Sequence, residues 1–322
     1  MKIIHATILA AVLALGAMRL NADEAVVDPD AKPDKIAAGF KFTEGPVWHP
    51  RGFLLFSDIP ATTIFEWQPG MAKPAAARGE PAQMPAAIFG ALKVFRTPSG
   101  HSNGLAIDRE GRLVACEHDR RVSRTEKDGS VVTLADKFEG RRLNSPNDLA
   151  IKSDGSIYFT DPPYGLPNGG EGKELDFNGV FRIAPDGKLS LLVRDFSRPN
   201  GIAFSPDEKE IYIADSDGSL NHVRVFDVQP DGSLANGRVF AVLKEEGKEG
   251  VPDGIKVDGR GNLISTGPGG IWIFSPDGKL LGKIATPEVP ANLAFGDEDR
   301  KTLYITARTG LYRIRLNIAG AK

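Results

Sequence analysis

Short runs in which apolar and polar residues alternate, broken by polar turns, recur along nearly the whole chain. The apolar tripeptide Leu105-Ala106-Ile107 leads into Leu113-Val114-Ala115, and Ile202-Ala203-Phe204 leads into Ile211-Tyr212-Ile213. Such alternation over a few residues signals β-strands, and beyond the N-terminus no stretch sustains a helical period. Three of the breaks read Pro-Asp-Gly, starting at Pro185, Pro230 and Pro276. Proline presets the first turn dihedral, and glycine tolerates the positive φ that closes the turn.

The pattern occurs in six copies. TEGPVWHPRGFLLFSD starts at Thr43, SNGLAIDREGRLVAC at Ser102 and SPNDLAIKSDGSIYFTD at Ser145. RPNGIAFSPDEKEIYIAD starts at Arg198, VPDGIKVDGRGNLIST at Val251 and PANLAFGDEDRKTLYITA at Pro290. Each copy carries Glu, Asn or Asp just before its first strand, at positions 44, 103, 147, 200, 253 and 292, about 50 residues apart. Four short strands per repeat of about 40–50 residues is the arithmetic of a propeller blade. The sequence therefore predicts an all-β, six-bladed β-propeller; a β-sandwich would not require six copies of one motif. Ile36 to Phe42 is expected to complete the last blade beside Thr309 to Leu316. Two segments stand outside the repeat, Pro69 to Ala91 and Asp161 to Asn178, and the second has the composition of a lid.

The N-terminus has a different pattern. Lys2 precedes a nearly charge-free apolar run to Met18, then small residues near Ala22 and a polar stretch. This is the pattern of a secretory signal sequence, and its apolar part is shorter than the roughly 20 residues of a membrane span. Residues 1–22 are expected to be the signal and 23–322 one exported propeller domain, periplasmic in a Gram-negative host. Composition adds three exclusions. With 40 basic against 42 acidic residues, the chain lacks the positive excess of a nucleic-acid binder. Its single cysteine, Cys116, cannot form an internal disulfide or a multi-cysteine metal site. Glycine, 36 of 322 residues, exceeds the usual share of about 7% and fits a turn-rich fold.

Residues that begin the innermost strands of a propeller converge near its axis. Here that ring is Glu44, Asn103, Asn147, Asn200, Asp253 and Asn292. Carboxylate and amide oxygens without thiolate or imidazole suit a hard divalent cation. Ca²⁺ fits best, with Mg²⁺, Mn²⁺ and Zn²⁺ as competitors. Glu44 and Asp253 would balance its charge, and the amide oxygens of Asn147 and Asn200 would complete four protein ligands. Singly, Asn-Gly at Asn103 and Asn200 also reads as a hairpin turn. Turn chemistry does not explain two acids at the equivalent position of other blades.

From about Phe42 to the C-terminal strands the sequence resembles the SMP-30/gluconolactonase/LRE-like family. The resemblance is carried by EGPVW at Glu44, SPNDL at Ser145, RPNGIAF at Arg198 and VPDG at Val251. It implies metal ligation by Glu44, Asn147, Asn200 and Asp253, the four residues the repeat selects. CEHDRRVSR from Cys116 and TDPPYG from Thr160 look closest to the bacterial gluconolactonase branch. Ser145 and Pro146 stand where regucalcin-like members carry an arginine. The resemblance also implies a lactone substrate whose carbonyl the cation polarises, with Asp253 as general base or as nucleophile. Asn103, His118 and His101 are then expected to contact substrate, His118 because its surroundings share the resemblance. A phosphotriester hydrolase of the diisopropyl-fluorophosphatase type is the other enzyme reading. A non-catalytic propeller with a structural cation is the third. The nucleophile-elbow, Walker and dinucleotide fingerprints are absent.

Overall fold

Twenty-four strands form six antiparallel four-stranded sheets around a central channel, and a short strand extends one of them. The structure is a computed structural model and describes residues 25–72 and 86–321. The expected signal sequence lies outside the described residues, as does the middle of the segment from Pro69 to Ala91. The first blade comprises Thr43–His49, Phe53–Asp58, Thr63–Ala72 and Phe89–Arg96. The innermost strands of the next four blades are Ser102–Ile107, Leu149–Ile151, Pro199–Phe204 and Ile255–Val257. That of the sixth is Pro290–Gly296.

Pro-Asp-Gly breaks link the third and fourth strands of blades three, four and five. At the first of them Gly187 takes φ +85° and its N–H donates to Ala184 O at 2.8 Å. The ring closes when Asp34–Ala38 pairs antiparallel with Gly310–Arg315. The pairing ends before Phe42, because Gly39 (φ +95°) turns the chain inward and Phe42 reaches the mouth of the channel.

Six apolar clusters hold the ring, and each spans the boundary between two adjacent blades. Leu55 and Ile64 of the first blade pack with Leu105, Leu113 and Ala115 of the second. Leu54, Phe56 and Trp67 of the first pack with Tyr304 and Leu311 of the sixth. Both faces of every sheet are therefore covered, which is why Phe53–Asp58 and Thr302–Ala307 are buried along their whole length. Burying a side chain of Leu or Phe size contributes about 1.5–3 kcal/mol, and here each contribution belongs to a pair of blades. Cys116 is fully buried in the cluster between blades two and three, and burial holds its thiol well above the usual range.

Candidate active site

Adjacent inner strands approach closely at the axis, and glycines allow it. Gly45, Gly104, Gly201 and Gly254 directly follow four of the ring residues. Gly104 N–H donates across the blade boundary to Asn147 O at 2.7 Å, and Gly201 N–H to Asp253 O at 3.1 Å. A Cβ on Gly201 would stand 2.0 Å from Asp253 O, and one on Gly45 1.9 Å from Asn103 O. No side chain fits there. The Asn-Gly pairs at Asn103 and Asn200 therefore lie inside strands and serve blade contact; neither is a hairpin turn.

Five ring side chains, Glu44, Asn103, Asn147, Asn200 and Asp253, meet in one cavity of about 260 Å³. Phe42, Ile59, Val251 and Tyr164 form its apolar walls, and His118 completes the lining. The sixth ring residue departs from expectation. Asn292 is drawn below the floor, where its Nδ2 donates to Asp148 Oδ2 at 3.3 Å and Lys256 Nζ donates to its Oδ1 at 3.4 Å. His101 departs too. Its side chain is 49% exposed, pairs with Asp119 at 2.8 Å and does not line the cavity. Its φ of +52° directs it away from the strand that follows.

The remaining groups are held by specific bonds. Hydroxyls of one blade fix the main chain of the next: Ser57 Oγ donates to Asn103 O at 2.9 Å, and Thr160 Oγ1 to Asn200 O at 2.8 Å. Gly45 N–H donates to Glu44 Oε2 at 2.7 Å. Asn200 Nδ2 donates to Ser216 Oγ at 2.9 Å, and Asn200 also bonds the Asp253 carboxylate. Asn103 Nδ2 donates to Asn147 Oδ1 and lies 3.2 Å from His118 Nε2. His118 must accept there, so its proton sits on Nδ1 and the ring is neutral. Burial pushes its pKa down to about 4, in agreement.

Two consequences follow for charge. Burial raises Glu44 to about 7, with the Asp148 carboxylate adding to the shift. Burial also raises Asp253 well above the usual carboxylate range, with Glu44 and Asp148 reinforcing it. The floor is a set of crowded carboxylates and two buried amide oxygens, Asn103 Oδ1 and Asn200 Oδ1, that have no hydrogen-bond partner.

A family model described as the SMP-30/gluconolactonase/LRE-like region matches residues 42–309. This chain belongs to the SMP-30/gluconolactonase/LRE-like family. It is 38% identical to the gluconolactonase of Zymomonas mobilis, a match that covers 92% of this chain and 85% of that one. It is 26% identical to the pentonolactonase of Haloferax volcanii, over 83% of this chain and 81% of that protein. A solved gluconolactonase structure from Xanthomonas campestris superposes with a TM-score of 0.79 at 34% identity, covering 92% and 93% of the two chains.

In this member of the SMP-30/gluconolactonase/LRE-like family the donor set fits a hard divalent cation. Buried polar atoms are rarely left unpaired; the orphaned Asn200 Oδ1 is an acceptor that a cation would satisfy, and the orphaned Asn103 Oδ1 is an acceptor open to a substrate hydroxyl. Asn147 Oδ1 keeps a second lone pair beyond the one given to Asn103. Among the described residues no three His, Cys, Asp or Glu side chains are grouped to hold a metal, so any cation here depends on these amides.

Sequence reasoning did not reach Asp148, Tyr164 or the role of Ser145. Asp148 had a readable signal: it occupies the position that four other copies give to glycine. Tyr164 belongs to the segment between Asp161 and Asn178. Ser145 Oγ pins that segment, donating to Pro162 O at 2.6 Å and accepting from Gly165 N–H at 2.9 Å. Gly165 packs directly on His118, where a Cβ would stand 2.5 Å from the His118 Cβ.

The raised carboxyls predict how the metal-free protein responds to pH. Glu44 and Asp161 both titrate at about 7 when folded, against ordinary values of 4.5 and 3.8, and burial is the largest cause in each. A carboxyl raised on folding contributes stability that is complete below its unfolded pKa and is lost as pH rises through its folded pKa. In excess chelator the protein is therefore expected to melt at a higher temperature at about pH 5 than at about pH 8. Thermal melts at the two pH values check this, and the reverse order would contradict it.

Proposed function

We propose that this protein is a divalent-cation-dependent lactonase that opens a sugar lactone such as D-glucono-1,5-lactone to its aldonic acid. One observation carries the reading: a buried and a half-buried carboxylate and two unpartnered amide oxygens converge in a single small cavity. Its volume of about 260 Å³ lies below the roughly 300 Å³ at which sites for drug-sized ligands begin, which suits a single sugar ring. The relatives named gluconolactonase and pentonolactonase support the same reaction class.

Glu44, Asn147, Asn200 and Asp253 would hold the cation, with Ca²⁺ favoured because every donor is a hard oxygen. Bound there, it supplies Lewis-acid polarisation of the ester carbonyl. The protein's own groups do the rest. Asp253 takes a proton from water as the water oxygen attacks the lactone carbonyl carbon. The bond from that carbon to the ring oxygen then breaks, and the proton passes from Asp253 to the released ring oxygen. Asn103 presents Oδ1 to a substrate hydroxyl, because its Nδ2 is occupied by Asn147 and His118. His118 acts through Asn103 by fixing which way the carboxamide faces. The apolar walls cover the sugar's C–H face and limit water. The N-terminal signal pattern supports export, so the reaction runs outside the cytoplasm, in the periplasm of a Gram-negative host.

Purified protein with Ca²⁺ should be assayed on glucono-1,5-lactone and on a fluorophosphate triester. The lactone is expected to be preferred by at least about 100-fold in kcat/KM, more than a methylene-sized difference in fit supplies. An equal preference for the phosphotriester would replace this reading with the other hydrolase class.

A further inference from the structure

Beneath the floor of the cavity, a second layer of polar side chains lies on the channel axis. Asp148 of the third blade is buried there and acts only as an acceptor. Leu149 N–H donates to its Oδ1 at 2.9 Å, Asn292 Nδ2 to its Oδ2 at 3.3 Å, and the Ile202 N–H also bonds it. Asn292, from the opposite blade, ties this layer together: it bonds Glu44 above, Asp148 across the channel and Lys256 below.

Lys256 is the unexpected member. The alternation of Ile255-Lys256-Val257 marks it as a residue that would point to solvent. Its stem instead lines a funnel of about 600 Å³ beside Val47, Ile107, Ile151 and Phe204, with Glu208 and Glu298 also in the lining. Its ammonium donates to Ile255 O at 2.9 Å and to Asn292 Oδ1 at 3.4 Å. Among the described residues it makes no ion pair within 4.0 Å. An ammonium taken partly out of water with only neutral oxygens in contact is favoured by negative charge at longer range. Glu44 and Asp148 are those charges, and each feels Lys256.

We infer that Lys256 is a resident counter-cation that sets the charge of the site to suit a divalent ion. The inference rests on the cation-binding reading above. Three carboxylates, Glu44, Asp148 and Asp253, and one ammonium leave two negative charges, which a divalent cation neutralises. Glu44 and Asp253 face the cavity, whereas Asp148 and Lys256 act from the layer below. Lys256 is in this sense a positioning and selectivity residue, acting through Asn292 and through the field on the axis.

The test uses cation binding rather than turnover. Ca²⁺ affinity is measured by calorimetry and Tb³⁺ affinity by sensitised luminescence, on the full-length folded protein. Lys256→Met keeps the apolar stem and adds one net negative charge, so the ratio of Tb³⁺ to Ca²⁺ affinity should rise by about tenfold. Asp148→Asn removes a negative charge and should weaken Ca²⁺ by about tenfold. The double variant restores the charge and should bring Ca²⁺ affinity back to within about threefold of the parent. Lys256→Arg should leave both affinities near the parent's. If Lys256→Met does not fold, Lys256→Gln makes the same measurement. An unchanged Tb³⁺ to Ca²⁺ ratio in the neutral Lys256 variant, with the parent binding Ca²⁺ normally, overturns this inference alone. A parent that binds no divalent cation overturns it together with the functional reading.

Discussion

Replacing Asp253 with asparagine is expected to lower kcat/KM for glucono-1,5-lactone by about a thousandfold, within the range for losing a general base. Asparagine is nearly isosteric, so the blade contact made by the Asp253 carbonyl with Gly201 N–H survives. On the proposed mechanism the variant would lose a proton acceptor and one of the two charges that would face the cation. Assays at saturating Ca²⁺ separate the two losses, because the affinity defect is then overcome and the fall in kcat remains. Stability should move the other way. Once ionised, the half-buried Asp253 carboxylate stands near Glu44 and Asp148, all of one sign. Neutralising it relieves that repulsion, so in chelator the variant should melt at a higher temperature than the parent. Turnover within threefold of the parent would remove Asp253 from the chemistry.

Chelation is expected to abolish lactone hydrolysis, with full recovery on adding back Ca²⁺. The same crowding of carboxylates that a cation relieves ties activity to thermal stability. An ion present at 100 times its dissociation constant contributes about 2.7 kcal/mol. At about 2–4 °C per kcal/mol for chains somewhat shorter than this, removing it should lower the midpoint by roughly 5–10 °C. Melts in a series of Ca²⁺, Mg²⁺, Mn²⁺ and Zn²⁺ would rank the fit. Hydrolysis that persists undiminished in chelator, after dialysis against it, would rule out a cation-dependent mechanism.

Periodicity made the blades legible, because each strand pair brings its own alternation and turn. Five of the six ring residues were legible for a related reason: six copies of one motif place equivalent residues at equivalent radii. What the repeat could not show is where a copy deviates for a reason of its own. Asn292 is followed by Leu293 where four copies have glycine, and its amide turns down toward Asp148 and Lys256. Lys256 was hidden because alternation tells which face a residue takes and not what lies on that face. For an innermost strand the polar face borders the channel. Tyr164 was hidden differently: it sits in an insertion, and a single copy has no period. His101 shows the converse limit, since two residues from Asn103 is close in sequence but leads to the surface.

The seam between Asp34–Ala38 and Gly310–Arg315 governs the order in which this molecule can be made. It joins stretches at nearly opposite ends of the chain, and bringing such distant partners together carries a loop-closure cost before any contact repays it. As the chain is synthesised, the strand that will be outermost in the sixth blade is made first and waits for that blade's three inner strands, which come last. Until the last residues emerge, the growing arc has two exposed sheet faces and an unpaired strand. The final step of folding is therefore also the step that ends its exposure to aggregation.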